Sequence, residues 1–174
     1  WASGCAFITR KDLFLKIFFD AKLFAYMEEI DYSWKSMLLG YKNFVEPRSV
    51  IYHSGGSLMN RTFLKSYFNH RNSMNIFLTN HNTFVMLLIL PFKLLLEIAS
   101  LSRYLLLFDF SAFCSQICSY IWILSHPIYI LKRIIRINRI KTNSLISILS
   151  RMYKPSIVFK YFILRKKKYS ELIN

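Results

Sequence analysis

The sequence is poor in acidic residues, glycine, proline and cysteine. It has nine Asp and Glu against 24 Lys and Arg in 174 residues, so the formal net charge is +15. With 54% hydrophobic residues and only four glycines and four prolines, it is neither disordered nor of low complexity. The three cysteines, Cys5, Cys114 and Cys118, have an odd count and spacings that exclude a disulfide framework. Cys114 and Cys118 lie one helical turn apart in an apolar run, so we expect buried thiols there.

Acidic residues are missing altogether between Asp109 and Glu171. A chain this positive is attracted to an anionic surface, which is either nucleic acid or phospholipid. The positive residues border apolar segments, and this arrangement favours membrane lipids as partners over nucleic acid.

The first long apolar run spans residues 83–107 and exceeds the roughly 20 residues that a helix needs to cross a bilayer. Lys93 and Glu97 interrupt it four positions apart, so they can pair on one helical face. Because a charge at mid-bilayer is costly, the run predicts either a span whose charged side faces protein or a re-entrant helix.

A second apolar run spans residues 110–131 and ends at Lys132 and Arg133. Positive residues flank the two runs, whereas Arg103, near the end of the first run, is the only cation close to the connection between them. Lys and Arg mark the cytoplasmic side of a span, so we predict a hairpin that enters from and returns to the cytoplasm. The basic, amphipathic residues 132–174 would then lie on anionic lipid.

The first 57 residues have a mixed pattern that predicts alternating strands and helices. The predicted strands are 3–9, 41–45 and 49–53. The first predicted helix begins at a capping box at Thr9–Asp12 and ends near Phe18. The second runs over 27–39 and is ended by Gly40, and the third runs over about 60–79.

Three acids, Glu28, Glu29 and Asp31, fall within four positions at the start of the second helix. Adjacent like charges raise the proton affinity of at least one group unless a cation shares the site. Two interpretations remain open on this stretch alone. The acids either complement the positive end of the helix dipole or form a catalytic base beside a divalent metal.

An ordered set of motifs adds to this reading. The set comprises Ser3-Gly-Cys-Ala-Phe-Ile-Thr-Arg10, Phe19-Asp20, Phe24-Ala-Tyr26, Glu28-Glu29-Ile-Asp31, Trp34-Lys35, Gly40-Tyr41, Glu46-Pro47, Val50-Ile-Tyr-His53 and Arg71-Asn72. Over residues 1–80 it resembles the second half of a glycosyltransferase family 2 domain of the rhamnosyltransferase-like kind. The resemblance implies an α/β fold, namely the C-terminal portion of a GT-A nucleotide-sugar transferase fold, followed by an α-helical membrane-associated region.

The resemblance also implies catalytic roles. Glu29 would be the base that takes the proton from the acceptor hydroxyl during inverting sugar transfer, with Glu in place of the more common Asp. Glu28 and Asp31 would orient the site or the helix.

The implied cofactor is Mn²⁺ or Mg²⁺. Its principal Asp-x-Asp ligands are expected outside this chain, with His53 as an added ligand. The alternative for His53 is a strand-end histidine bonded to a loop.

Further residues receive binding roles from the same resemblance. Trp34, Gly4 and Cys5 would lie near the acceptor, although core or backbone packing also explains them. Arg71 would meet a substrate or lipid phosphate, or else lie on a solvated helix face.

These interpretations divide the chain into a catalytic part (1–80), an apolar hairpin (81–131) and a basic tail (132–174). The expected function is a membrane-bound inverting glycosyltransferase, with its catalytic part on the cytoplasmic face, that moves a sugar from a nucleotide donor to a lipid-linked or polysaccharide acceptor. We read the chain as the C-terminal part of a longer enzyme and expect it to be inactive alone. The alternative is a non-enzymatic membrane-anchored interaction module.

Overall fold

A computed structural model of the chain describes residues 4–46, 48–52, 62–142, 157–166, 168 and 171. These residues contain seven helices: α1 (Lys11–Ile17), α2 (Glu28–Leu38), α3 (Thr62–Asn80), α4 (Thr83–Leu106), α5 (Phe110–Ser125), α6 (Pro127–Ile140) and α7 (Ile157–Phe162). The chain forms two compact units, residues 1–143 and 144–174. The first unit holds α1–α6, and α7 is the helix described in the second.

The predicted α/β fold is wrong, because no strand occurs in the described part of the chain. A GT-A fold would have a central sheet. The segments predicted as strands, 3–9, 41–45 and 49–53, are non-helical where they are described, but they form no ladder. Phe44, Val45 and Tyr52 are 80%, 78% and 96% exposed. Alternating apolar residues favour an extended backbone, but a strand exists only where a neighbour accepts and donates its backbone hydrogen bonds.

The first two helices confirm the predicted positions with one difference. Thr9 does not cap α1; its hydroxyl lies 2.9 Å from the Tyr32 hydroxyl instead. α2 ends as predicted at Gly40, whose φ is 90°. Gly40 N–H donates to the Met37 carbonyl and Tyr41 N–H donates to the Ser36 carbonyl, which is the pattern of a Schellman cap.

Helix α3 is the central element and packs against α2, α5 and α6. Its buried side chains include Met74, Ile76 and Phe77. The polar side chains of Asn72 and Asn75 are buried on the same helix. Buried polar groups must find hydrogen-bond partners, so this core is held by directed bonds as well as by apolar contact.

The pair α4–α5 has its polar residues inside and its apolar residues outside. Glu97 is buried on α4, whereas most leucines of this helix are exposed. Helix α5 buries small and polar residues, namely Ala112, Ser115, Gln116 and Ser119, and exposes Ile117, Ile121 and Leu124. Small and polar residues at helix contacts with an apolar exterior are typical of membrane helices.

One helix in the described part of the chain, α4, is long and apolar enough to cross a membrane by length and composition. It has 24 residues, and its most apolar window of 18 residues has a mean hydropathy of 2.2. Helix α5 is also apolar but has only 16 residues. The second apolar run breaks at His126, because a residue before proline avoids helical angles, and α6 starts with Pro127 at its first position.

The cysteines of α5 provide a test of membrane association. Cys114 and Cys118 are free and exposed, so the prediction of buried thiols was wrong. If lipid covers this face, a charged, water-soluble maleimide should label Cys5 in intact vesicles and leave Cys114 and Cys118 unmodified. Mass spectrometry measures the labelling, and addition of denaturing detergent should expose all three. Equal labelling of the three cysteines in intact vesicles would contradict a lipid-covered α5.

Candidate carboxylate site

Two carboxyl groups lie together at the first turn of α2, beside Gly4. A Cβ built at Gly4 would lie 3.5 Å from Glu28 Oε1 and 3.5 Å from Glu29 Cβ. The structure therefore brings together three residues that the sequence singled out. These distances are ordinary van der Waals contacts, so the backbone at position 4 lies directly against both glutamates.

One oxygen of each glutamate is buried without a hydrogen-bond partner. Glu28 Oε2 and Glu29 Oε2 are both inaccessible to water and accept no hydrogen bond from the residues that the structure describes. A buried acceptor without a donor costs stability, so native proteins keep few of them. Such atoms are suited to receive a donor from a ligand or a proton from a substrate hydroxyl.

The surroundings of Glu28 change its proton affinity. Burial raises the pKa of Glu28, and the neighbouring charge of Glu29 raises it further. Glu28 is therefore a carboxyl group that tends to keep its proton.

This shift predicts how stability depends on pH. A raised pKa means that folded Glu28 binds more protons than the unfolded chain, so stability falls as pH rises from the ordinary glutamate pKa through the folded value. Glu28→Gln should therefore stabilise the protein at pH 7 and have little effect at acidic pH below both values. Chemical denaturation at several pH values measures the difference. Glu46→Gln, at an exposed position, is the matched control, and a pH-independent effect of Glu28→Gln would contradict the prediction.

The loop before α2 has an unusual backbone. Phe24, Tyr26 and Met27 have φ values of 61°, 62° and 70°, and Met27 is the residue that precedes the first turn of α2. Bulky residues seldom adopt positive φ, and each such residue costs on the order of 1–3 kcal/mol. Strain of this kind persists only where neighbouring groups hold it, and it occurs frequently at functional sites.

Two adjacent side chains of α3 hold this loop. Asn72 Nδ2 lies 2.8 Å from the Leu23 carbonyl, 2.8 Å from that of Ala25 and 2.7 Å from that of Tyr26, and its two protons can serve two of these acceptors at once. Arg71 Nη2 donates to the carbonyls of residues 22 and 23 at 2.7 and 2.9 Å. Arg71 Nε donates to Asn72 Oδ1 at 2.9 Å and so orients the amide.

These bonds give Arg71 a defined place. Its side chain is buried, so it does not lie on a solvated helix face. Arg71 fixes the loop that precedes α2 and its carboxyl pair. Its contact with a phosphate stays a prediction.

Asp31, the third acid of the cluster, points into a different network. It is fully buried and pairs with Lys35 Nζ at 2.9 Å and with Arg133 of α6. Arg133 also donates to Asp20 Oδ2 at 2.7 Å and to Thr79 Oγ1 at 2.9 Å. Asp31 therefore ties α2 to α6, which is compatible with the predicted role of orienting the helix.

The remaining predicted site residues are dispersed or lie outside the described residues. Trp34 is buried with its ring 4.9 Å from the His81 ring, and its indole N–H has no hydrogen-bond partner among the described residues. Burial lowers the pKa of His81, which therefore favours the neutral ring. Cys5 is exposed next to Gly4. His53 lies outside the described residues.

The described residues do not test the predicted Mn²⁺ or Mg²⁺ site, because its Asp-x-Asp ligands were expected outside this chain and His53 lies outside the described residues. No group of three or more His, Cys, Asp or Glu side chains that could hold a metal occurs in the described ranges. The metal stays a prediction, and the chemistry below does not use it.

Arg133 was not singled out from the sequence, and Asp20 and Asn72 were quoted only as members of the motif set, without a role of their own. One signal was present for Arg133, which lies four positions before Ile137 on the face of α6 that is buried. The partners themselves are far apart in the chain, so no local pattern identifies them.

Comparison with protein-family models, with curated proteins and with solved structures finds no match to this chain. Together with the absence of strands from the described residues, this finding overturns the resemblance to glycosyltransferase family 2. The carboxyl pair and the apolar helices remain as observations from which a function can be argued.

Proposed function

We propose that the protein is a membrane-associated transferase in which Glu29 acts as general base on an acceptor hydroxyl. The reaction is inverting transfer of a sugar from a nucleotide donor to a lipid-linked or glycan acceptor. Glu29 accepts the hydroxyl proton as the oxygen attacks the anomeric carbon, and the nucleoside diphosphate leaves. Glu28 and the loop before α2 orient the carboxylate.

The observation that carries this proposal is the pair of buried carboxyl oxygens without donors. Glu29 Oε2 already lies out of water and accepts no hydrogen bond from a described residue, so an incoming hydroxyl meets no competing donor among those residues. A general base has to lie within hydrogen-bond reach of the proton that it removes. The strained loop, with Asn72 and Arg71 beneath it, supports the same interpretation, because it fixes the start of α2.

The helices α4 and α5 support a location at the membrane. An acceptor carried on a lipid presents its hydroxyl group at the bilayer surface, so an apolar hairpin beside the site would keep enzyme and acceptor together. The distribution of positive residues at the ends of the apolar runs favours the cytoplasmic face for the carboxyl pair.

The test is sugar transfer by the full-length protein in lipid vesicles, with labelled nucleoside-diphosphate hexoses as donors and a polyprenyl phosphate glycan as acceptor. Because general base catalysis contributes about 10²–10⁴-fold, Glu29→Gln should lower kcat by about 100-fold or more. Glu46→Gln should leave kcat unchanged. Near-normal turnover of Glu29→Gln would remove Glu29 as the base.

A second candidate function is a membrane-anchored interaction module without catalysis. It is favoured by the exposed apolar side chains of Phe44, Val45, Val50, Ile51 and Tyr52, which offer a surface for another protein. This alternative predicts that Glu28→Gln, Glu29→Gln and Asp31→Asn leave function intact in any variant that folds.

A further inference from the structure

A pocket of about 380 Å³ lies at the junction of α5 and α6 and belongs to no site described above. Its lining includes Lys22, His126, Pro127, Tyr129 and Lys132. Two lysines contribute to the wall, and none of the lining residues is acidic. The pocket therefore has a net positive charge with no counter-charge of its own.

The two ammonium groups are available to a ligand. Neither Lys22 nor Lys132 forms an ion pair with any residue that the structure describes, whereas Arg133, next in sequence to Lys132, is bound by Asp20, Asp31 and Thr79. The Lys22 ammonium lies 5.0 Å from the centre of the Tyr129 ring, a cation–π contact that holds it at the wall. Tyr129 is fixed in turn, because its hydroxyl donates to Asp20 Oδ2 at 3.0 Å.

The position of the pocket along the chain indicates the kind of ligand. Helix α5 is apolar and has no charged residue, whereas α6 is amphipathic and carries four Lys and Arg. The pocket lies where the apolar helix α5 is followed by the amphipathic helix α6. Beside a membrane helix, such a transition lies at the depth of the phospholipid headgroups. Pro127 and Ile128 give the pocket an apolar side as well, and Ile128 is 69% exposed.

We propose that this pocket binds a phosphate group, with Lys22 and Lys132 as its cationic ligands and Pro127 and Ile128 beside the apolar part of a lipid. The phosphate is either that of an anionic phospholipid or free phosphate from solution. The proposal does not depend on the chemistry of Glu28 and Glu29, so it can hold or fail independently of the proposed transferase function.

Lysine acylation, read out by mass spectrometry on the full chain in nanodiscs, tests the site. Three preparations are compared: phosphatidylcholine alone, phosphatidylcholine with phosphatidylglycerol, and phosphatidylcholine alone with inorganic phosphate in the buffer. At a ligand concentration about tenfold above Kd, roughly nine in ten pockets are filled, so acylation of Lys22 and Lys132 should fall about tenfold. Lys11 and Lys42, which are exposed on other segments, are the controls.

Each result has a defined meaning. Protection only with phosphatidylglycerol supports the proposal with a lipid as the source, and protection by inorganic phosphate supports it with a soluble source. No protection in either preparation would overturn the site. Equal protection of Lys11 and Lys42 would also overturn it, because general attraction of cations to an anionic surface would then suffice.

A variant pair gives an independent measurement. Each lysine near an anionic surface adds about 1 kcal/mol, so Lys22→Gln with Lys132→Gln should weaken retention of fluorescent phosphatidylglycerol about 30-fold. Lys11→Gln with Lys42→Gln should change it by less than about threefold, the scale of a surface substitution. Both double variants should fold, because only exposed lysines are replaced, and circular dichroism checks this. Equal loss in the two double variants would refute a specific pocket.

Discussion

Replacing Arg133 by methionine should lower the free energy of unfolding by about 3–5 kcal/mol, the range for a buried ion pair that loses one partner. The Arg133 side chain is 1% exposed and contacts both Asp20 and Asp31, which are also buried. Without the guanidinium, these carboxylates keep only Arg136 and Lys35 as cationic partners. Urea denaturation monitored by circular dichroism measures the loss.

The matched control is Arg139→Met on the exposed side of α6, for which a change of less than about 0.5 kcal/mol is expected. A second control replaces the whole buried set, with Arg133→Met, Lys35→Met, Asp20→Asn and Asp31→Asn in one chain. Because apolar or neutral groups can replace a buried ionic network at little cost, this variant should be more stable than Arg133→Met alone. If it is less stable, the loss of stability in Arg133→Met comes from packing and not from unpaired charge.

The pH dependence of the same variant gives a further check. Burial tends to raise the pKa of Asp20, but the Arg133 charge and hydrogen bond outweigh it, so this pKa lies below its ordinary value. The resulting stability is present above the ordinary aspartate pKa and is lost as pH falls through the folded value. The difference between the natural protein and Arg133→Met should therefore shrink in acid. A difference that stays constant down to pH 2 would contradict this cause.

Replacing Glu97 by leucine should destabilise the α4–α5 pair by about 3–5 kcal/mol, although leucine is the more apolar residue. Glu97 accepts bonds from Lys93 Nζ at 2.5 Å, Tyr120 at 2.5 Å and Gln116 at 2.9 Å. His70 of α3 lies 3.0 Å from it as a fourth partner. The substitution leaves these four side chains without their shared acceptor. Unfolding in mixed detergent micelles, with increasing dodecyl sulfate, measures the change.

Two variants separate charge from packing at this site. Lys93→Met combined with Glu97→Leu removes both charges and should recover part of the loss. Leu95→Ala, at a position 63% exposed on the same helix, should change stability by less than about 0.5 kcal/mol. A loss from Leu95→Ala as large as that from Glu97→Leu would show that apolar contacts, rather than the polar network, hold the helices together.

Local patterns predicted the helices well and the strands badly. Apolar spacing, the acidic first turn and Gly40 placed α2 within a residue or two of its observed bounds, since these signals act within a few positions. The segment 41–45 alternates in the same readable way, yet it forms no strand. A helix closes its own hydrogen bonds, whereas a strand depends on a second segment that sequence periodicity does not identify.

The candidate site was predicted only in part, because sequence patterns show neighbouring residues but not contacts between distant segments. Glu28 and Glu29 were visible as adjacent acids, and Gly4 was singled out with them. The positive φ values of Tyr26 and Met27 were not foreseeable, because side chains of this size favour negative φ. They result from Asn72, which is more than forty positions away in the sequence.

The bond between Arg133 and Asp20 joins residues 113 positions apart, and it has a consequence for the order of events during synthesis. At 5–20 residues per second, the ribosome makes Arg133 roughly 6 to 23 s after Asp20. During that interval α1 and α2 exist without the guanidinium that neutralises their carboxylates, while the apolar helices α4 and α5 are already emerging. The amino-terminal helices should therefore reach their final packing only after the apolar pair has left the ribosome. In nascent chains arrested at residue 125, a protease should cut the segment between α1 and α2 more readily than in the finished protein.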